Sequence, residues 1–328
     1  MSDRSTAIRR FLAQGSYGGW HQTPLAGDAS TRRYLRLQSG TGQSVILMDA
    51  DPATGQDLTP FLRIAAHLAD IGLCPPAILQ QDTAAGLLVI SDLGPSHIAD
   101  WLATHPQETA TLYTAAVDVL GVVAQHAAPS GLAIIDAAQA GAMLAPLFDH
   151  YVDGCPDAAG ITGALQEVWR QSAPHSATLA LRDYHAENLI WRGDRNGTDR
   201  IGLLDFQDAV LAPPEYDLVS LLRDARRDTA PALRTQLTQQ FCAMTERDKD
   251  QVSAAMACIG VQRNLRIMGI FARLAAQQGK SRYLDLLPRV WTHVTEDLQH
   301  PALAPLQHLV LKSIPAPEAP VLQRLRHA

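Results

Sequence analysis

The stretch that most restricts the possible folds is Leu181-Arg182-Asp183-Tyr184-His185-Ala186-Glu187-Asn188-Leu189-Ile190-Trp191. After the turn-rich Gly193-Asp194-Arg195-Asn196-Gly197 comes Ile201-Gly202-Leu203-Leu204-Asp205-Phe206-Gln207. The pattern predicts a loop that carries Asp183 and, five residues on, Asn188; then a strand, a hairpin turn, a second strand and an acid at its end. Such a hairpin brings Asn188 and Asp205 side by side at one end of a strand pair.

The rest of the chain divides unevenly around this element. Residues 3–14 predict an amphipathic helix with Ile8, Phe11 and Leu12 on one face. Residues 24–52 predict three strands, with Gly40-Thr41-Gly42 as a hairpin signal and Pro52 ending the apolar run Val45-Ile46-Leu47-Met48. A helix over 57–71, capped by Asp57, and a strand pair over 77–82 and 86–90 follow. Beyond residue 96 the helical period dominates, over 97–104, 107–127, 136–151, 160–173, 217–226, 231–245, 248–278 and 281–297. The proline-rich tail predicts short helix and coil. The expected architecture is therefore α+β. A small antiparallel sheet with one helix over 1–92 precedes a large, mostly helical part over 93–328.

The Asp183, Asn188 and Asp205 set suits one chemistry in particular. Phosphoryl transfer passes through a loose, highly charged transition state, so catalysis is positioning plus electrostatics. Asp183 would orient an attacking hydroxyl and take its proton, while Asn188 and Asp205 would hold Mg²⁺ against the phosphates of ATP. His185 is read as structural, because the loop already holds a carboxylate base.

Composition narrows the partners. The chain has 328 residues, 47% of them hydrophobic, and a net charge of −6, which argues against a nucleic-acid partner. Lysine occurs only at Lys249, Lys280 and Lys312, so phosphates cannot be held by many lysines. Cys74, Cys155, Cys242 and Cys258 are widely spaced and predict reduced thiols, not a zinc site or a disulfide framework. The polar N-terminal segment and the absence of an apolar run of about 20 residues predict a cytoplasmic protein with no membrane partner. Nothing in the sequence speaks to oligomeric state.

On these residues the chain resembles the aminoglycoside/choline-kinase-like phosphotransferases, whose catalytic loop reads His-Gly-Asp-x-His-x-x-Asn. The Asp-x-His-x-x-Asn part matches, while Leu181 and Arg182 stand in place of His-Gly. The resemblance implies a protein-kinase-like bilobal fold. It also implies that Asp217, in Pro214-Glu215-Tyr216-Asp217-Leu218, buttresses the catalytic loop. Gly27-Asp28-Ala29-Ser30-Thr31-Arg32-Arg33-Tyr34, Val45-Ile46-Leu47-Met48-Asp49-Ala50 and Gln262-Arg263-Asn264-Leu265-Arg266 carry a narrower resemblance. It is to bacterial kinases that phosphorylate the anomeric hydroxyl of N-acetylmuramate and N-acetylglucosamine during cell-wall sugar recycling, so a small sugar is the expected partner.

One departure stands out. The kinase strand lysine is missing from Val45-Ile46-Leu47-Met48, and the helix over 57–71 has no glutamate to pair with it. An arginine among Arg32, Arg33 and Arg36 could replace it. The expected nucleotide contacts are Ser30, Thr31 and Arg33, with Ser91 and Leu93 beside the adenine. The expected acceptor contacts are Tyr184, Glu187, Asp208, Arg263 and Arg266; an arginine of this last helix would suit the lactyl carboxylate of a muramate. A kinase of the same fold for choline, homoserine or an antibiotic, and a nucleotide-binding pseudokinase, are the competing readings.

Overall fold

The structure is a computed structural model that describes residues 3–25, 32–174 and 177–327. The chain forms two compact units, one of residues 1–106 with 186–208 and the other of residues 107–185 with 209–328.

The first unit is built on a five-stranded antiparallel sheet of order β1-β2-β3-β5-β4, from β1 (His21–Pro24), β2 (Arg33–Gln38), β3 (Ser44–Asp49), β4 (Ile78–Asp82) and β5 (Leu87–Ser91). Helix α1 (Asp3–Gln14) buries Ile8, Phe11 and Leu12 against Leu37, Val45, Leu47, Leu87 and Val89. Alternation along the strands then fixes the other face, which carries Tyr34 and Arg36, Ile46 and Met48, Leu88 and Ile90. Asp49 shares the α1 face and is only 1% exposed; it binds Arg4 of α1 and Arg33 of β2. A buried carboxylate is tolerable when it is so paired.

Helix α2 (Thr59–Asp70) starts where the Asp57 carboxylate accepts the Thr59 N–H at 2.8 Å, and it buries Phe61, Ile64, Ala65 and Leu68. Helix α3 (Ile98–Thr104) follows. The chain then enters the second unit through α4 (Thr109–Gln125), α5 (Ala137–Ala142), a helical turn at Leu147–Tyr151, α6 (Ala158–Ser172) and β6 (Thr178–Ala180). It returns to the first unit for the hairpin of β7 (Leu189–Trp191) and β8 (Ile201–Leu203). This hairpin is tied there by the Trp191 N–H to Ser96 C=O bond at 2.8 Å and the Leu203 N–H to Cys74 C=O bond at 2.9 Å. That backbone pairing is why residues 186–208 group with the first unit. The first unit also runs to Pro106, past the expected boundary of 92/93.

The remainder of the second unit comprises β9 (Val210–Ala212), paired antiparallel with β6, and then α7 (Tyr216–Leu222), α8 (Pro231–Thr245), α9 (Lys249–Gln278), α10 (Leu287–Asp297), α11 (Ala304–Ser313) and α12 (Ala319–Arg326). Its core gathers around α9, with Leu144, Leu147, Leu165, Trp169, Leu265, Met268, Leu287 and Val294.

Three helical expectations needed revision. The single helix over 136–151 is two pieces, because Pro146 has no N–H to continue the ladder of α5 and instead starts the next turn. The span 217–226 is helical only to Leu222. The span 281–297 begins as a 3₁₀ segment to Leu286 and becomes α-helical where Pro288 sits in the first turn. Among the described residues no helix is long and apolar enough to cross a membrane.

Candidate active site

The catalytic-loop pattern spans both units, and each part is built by different elements. In the second unit β6 delivers the chain to Leu181. Asp217, in the first turn of α7 and 2% exposed, meets it with both oxygens: Oδ2 accepts the Leu181 N–H at 2.5 Å and Oδ1 accepts the Arg182 N–H at 2.9 Å. The backbone of Arg182 is thereby held at φ 71°, a left-handed conformation that favours glycine. This position is where the resembling family has its Gly. The chain turns sharply, and half-buried Asp183 follows.

A relay supports the same turn from α9. The Arg263 guanidinium donates to Ser220 Oγ at 2.7 Å, Ser220 Oγ donates to the Arg182 C=O at 3.0 Å, and the guanidinium lies 4.8 Å over the Tyr216 ring. Burial pushes the Asp217 carboxyl up to about 6, against the opposing pull of the Leu181 N–H, Arg263 and the Arg182 N–H. Arg263 was expected to touch the acceptor; its guanidinium is instead engaged by Ser220 and the Tyr216 ring, the loop's own support. Arg266, one turn further along α9, is half-buried.

Tyr184 was also expected to line the acceptor pocket. It is 2% exposed, and its hydroxyl donates to the Ala116 C=O at 2.7 Å, so the core of the second unit takes it up. The His185 N–H bonds the Asp183 C=O at 3.1 Å and closes the turn behind the acid.

In the first unit the β7–β8 hairpin aligns Leu189 with Leu203, and the Asn188 C=O accepts the Leu204 N–H at 3.0 Å. Asn188 Nδ2 and Asp205 Oδ2 consequently stand 3.4 Å apart, while Gln207 Nε2 donates to Asp205 Oδ1 at 2.8 Å. Asp205 is exposed and takes a left-handed φ of 58°. The next residue anchors it: Phe206 is fully buried and stacks on Phe61 of α2, with centroids 5.0 Å apart. One carboxylate and one amide on a rigid hairpin end fit Mg²⁺, which takes few protein oxygens and completes its shell with water and phosphate. A turn of the Asn188 amide presents its oxygen. Glu187 and Asp208 are exposed residues of this unit, and the Glu187 C=O lies 2.6 Å from His97 Nδ1.

Of the expected nucleotide contacts, Ser30 and Thr31 lie outside the described residues. Arg33 points to the α1 face, where Asp49 Oδ2 binds it at 2.5 Å. Ser91 Oγ accepts the Ala77 N–H at 2.8 Å. Leu93 covers Gly202, where an added Cβ would come within 2.8 Å of it. With Asp92, Trp101, Trp191 and Arg195 it lines a cavity of ≈ 550 Å³. Asp92 is held low in pKa: burial opposes this, but Ser44, Arg36 and the Gly94 N–H prevail.

On the sheet face opposite α1, Met48 pairs with Tyr34 across β3 and β2. Burial raises the Tyr34 hydroxyl above its ordinary range, and both Arg32 and Asp205 lie within electrostatic reach of it. Sequence reasoning left Arg32, Arg33 and Arg36 equivalent and passed over Tyr34. The signal was the phase of β2: once Leu35 and Leu37 are assigned to the core, alternation sends Arg33 to the same face and Tyr34 and Arg36 to the other. Arg36 is engaged by Asp92 at 2.7 Å.

Known proteins resemble this chain in sequence and in fold. The family model described as phosphotransferase enzyme family matches residues 21–254. An N-acetylmuramate/N-acetylglucosamine kinase from Caulobacter vibrioides is 37% identical, covering 93% of this chain and 95% of that protein. Two solved structures share the fold. One is a choline/ethanolamine kinase family protein from Mesorhizobium loti (TM-score 0.65, 13% identity, 94% of this chain and 100% of that one). The other is the amicoumacin kinase hAmiN in complex with AMP-PNP, Ca²⁺ and Ami (TM-score 0.61, 15% identity, 92% of this chain and 97% of that one).

Proposed function

The chain belongs to the phosphotransferase enzyme family, and from that premise we propose that it transfers the γ-phosphoryl group of ATP to the anomeric hydroxyl of N-acetylmuramate or N-acetylglucosamine. The acceptor class rests on the relative from Caulobacter vibrioides. The donor class has support from the AMP-PNP bound by a protein of the same fold.

In this reading Asp183 accepts the proton of the sugar hydroxyl as that oxygen attacks, and it orients the oxygen in line with the leaving ADP. Bound Mg²⁺ supplies charge neutralisation between the phosphates, and Asn188 and Asp205 are its protein ligands. Arg32, whose guanidinium donates to Gln56 Oε1 at 3.1 Å just before α2, stands in for the missing strand lysine. Asp217 acts through the backbone of Leu181 and Arg182 and so positions Asp183. Leu93 and the backbone beside Ser91 border the adenine, and Arg266 faces the acceptor. An ATP-dependent reaction of this kind belongs in the cytoplasm.

The observation that carries the reading is the double acceptance by Asp217 of the Leu181 and Arg182 N–H groups immediately before Asp183. A turn held that firmly in a left-handed conformation has a purpose in presenting the next residue. The test is ADP release with ATP and Mg²⁺ and, separately, N-acetylmuramate, N-acetylglucosamine, choline and kanamycin, with phosphorus NMR of the product. Turnover driven by an N-acetyl sugar and an anomeric phosphate signal are expected. Turnover with choline or kanamycin alone would contradict the acceptor assignment and leave the kinase reading standing.

A further inference from the structure

Arg263, Arg266 and Arg273 recur along α9, yet the structure gives them three different situations. Arg273 is exposed. Arg263 is engaged by Ser220 and by the ring of Tyr216, as part of the loop's support. Arg266 is half-buried, on the face of α9 one turn from Arg263, and among the described residues no hydrogen bond or ion pair reaches it. Its neighbours include Arg182, Arg263 and Asp183, so two further guanidiniums share its surroundings. Burial, followed by Arg182 and Arg263, lowers its pKa, against Tyr216 and Asp183.

A guanidinium drawn out of water beside two like charges and given no acceptor is costly unless an anion completes it. Two anions are available in the proposed reaction. The transferred phosphoryl group is served by Asn188, Asp205 and their metal, all carried by the first unit. Arg266 belongs to the second unit with Asp183, the acceptor-side acid. N-acetylmuramate differs from N-acetylglucosamine by a lactyl ether, and that ether ends in a carboxylate. A planar guanidinium receives a carboxylate through two parallel N–H bonds.

We propose that Arg266 is the specificity-determining residue for the acceptor: it binds the lactyl carboxylate of N-acetylmuramate and so separates the acidic sugar from the neutral one. The inference rests on the sugar-kinase reading above and assigns one residue within it. Arg182, in its left-handed turn, and Arg263 keep the surroundings of Arg266 positive, which favours an anionic acceptor at this point.

The test compares kcat/KM for N-acetylmuramate, its lactyl methyl ester and N-acetylglucosamine in the wild type, Arg266→Gln and Arg266→Lys. In the wild type, esterification should lower kcat/KM roughly 10²-fold, the scale of a lost charged hydrogen-bond pair. In Arg266→Gln the acid-to-ester ratio should collapse towards one, and the muramate-to-glucosamine ratio should fall by a similar factor. Arg266→Lys should recover part of both ratios, because it keeps the charge and loses the fork. Each ratio is taken within one variant, so a loss of folded protein cancels, and an inactive glutamine variant leaves the lysine variant to decide. A wild-type acid-to-ester preference that survives in both variants would overturn the inference and leave the sugar-kinase reading intact. An equal loss for all three acceptors would also overturn it, and would assign Arg266 to the transferred phosphoryl group or to the fold. A wild type that turns over neither sugar would remove the reading on which the inference stands.

Discussion

Asp217 is the residue on which the loop geometry depends most directly. Ionised, it offers two acceptors to two N–H groups. Protonated, one oxygen becomes a donor facing a donor. Its carboxyl is raised to about 6, so the acid limb of kcat/KM should show a group titrating near that value. Asp217→Asn, which turns an NH₂ towards one of the two N–H groups, should lose that limb and run below wild type across the whole profile. The cost of one unsatisfied buried donor is ~1–3 kcal/mol. A variant with the wild-type pH profile would show that Asp217 does not position the loop. Arg182 offers the converse experiment. Its φ of 71° is strained for any residue with a Cβ, so Arg182→Gly should stabilise the fold by about 1 kcal/mol while Arg182→Val destabilises it. Thermal denaturation of the pair decides the sign of each.

The elements carry their own constraints, and α9 meets one at a glycine. A Cβ at Gly269 would collide with the backbone of Pro146 and Leu147, which cannot swing aside as a flexible side chain could, whereas a Cβ at Gly160 of α6 meets nothing within 4 Å. Gly269→Ala should therefore destabilise the protein by roughly 2–4 kcal/mol, and Gly160→Ala should stabilise it by up to about 1 kcal/mol, in denaturant titrations. This pair also illustrates what the sequence could reveal. The helical period of α9 was legible from its apolar spacing, and so was the β7–β8 hairpin, because both signals are local. The contact at Gly269 joins residues far apart in the chain and leaves no local mark. The same holds for the β6–β9 pair, which joins Thr178 to Ala212 across the whole catalytic-loop segment. Tyr184 looked like a pocket residue for the same reason: its partner, Ala116, lies 68 positions away. Arg33 was misassigned on phase alone, since a shift of one residue along a strand exchanges its faces. Conversely, the Leu181-Arg182 departure from His-Gly was visible at once, but only the backbone angle explains what the glycine position is for.

For the whole molecule, the buried charges of the second unit set a pH dependence of stability. Burial pushes both Glu215 and Asp297 up to about 7, against the opposing pull of Arg247 on the first and Arg223 on the second. A carboxyl whose folded pKa lies above its unfolded value stabilises the fold while protonated, and that contribution is lost as pH rises through the folded pKa. His293, pushed down to about 4 by burial and Arg223, acts oppositely but only below its ordinary value of 6.5. Between pH 8 and 6.5 the two carboxyls act without it. Stability should therefore rise by roughly 1–2 kcal/mol on going down through that window, seen as a melting temperature a few degrees higher at pH 6.5. A melting temperature that falls over the same interval would show that these acids are ionised and fully paired in the fold.

The central claim is that Asp183, set by Asp217 and followed by Asn188 and Asp205, is the base of a sugar kinase. It is tested most directly by ADP release with ATP, Mg²⁺ and N-acetylmuramate or N-acetylglucosamine, comparing the wild type with Asp183→Asn. Asparagine keeps the size and removes the proton acceptor. The account predicts sugar-dependent turnover in the wild type and a loss of about 10²–10⁴-fold in kcat in the variant, with nucleotide affinity little changed. A variant that phosphorylates either sugar at the wild-type rate would contradict it.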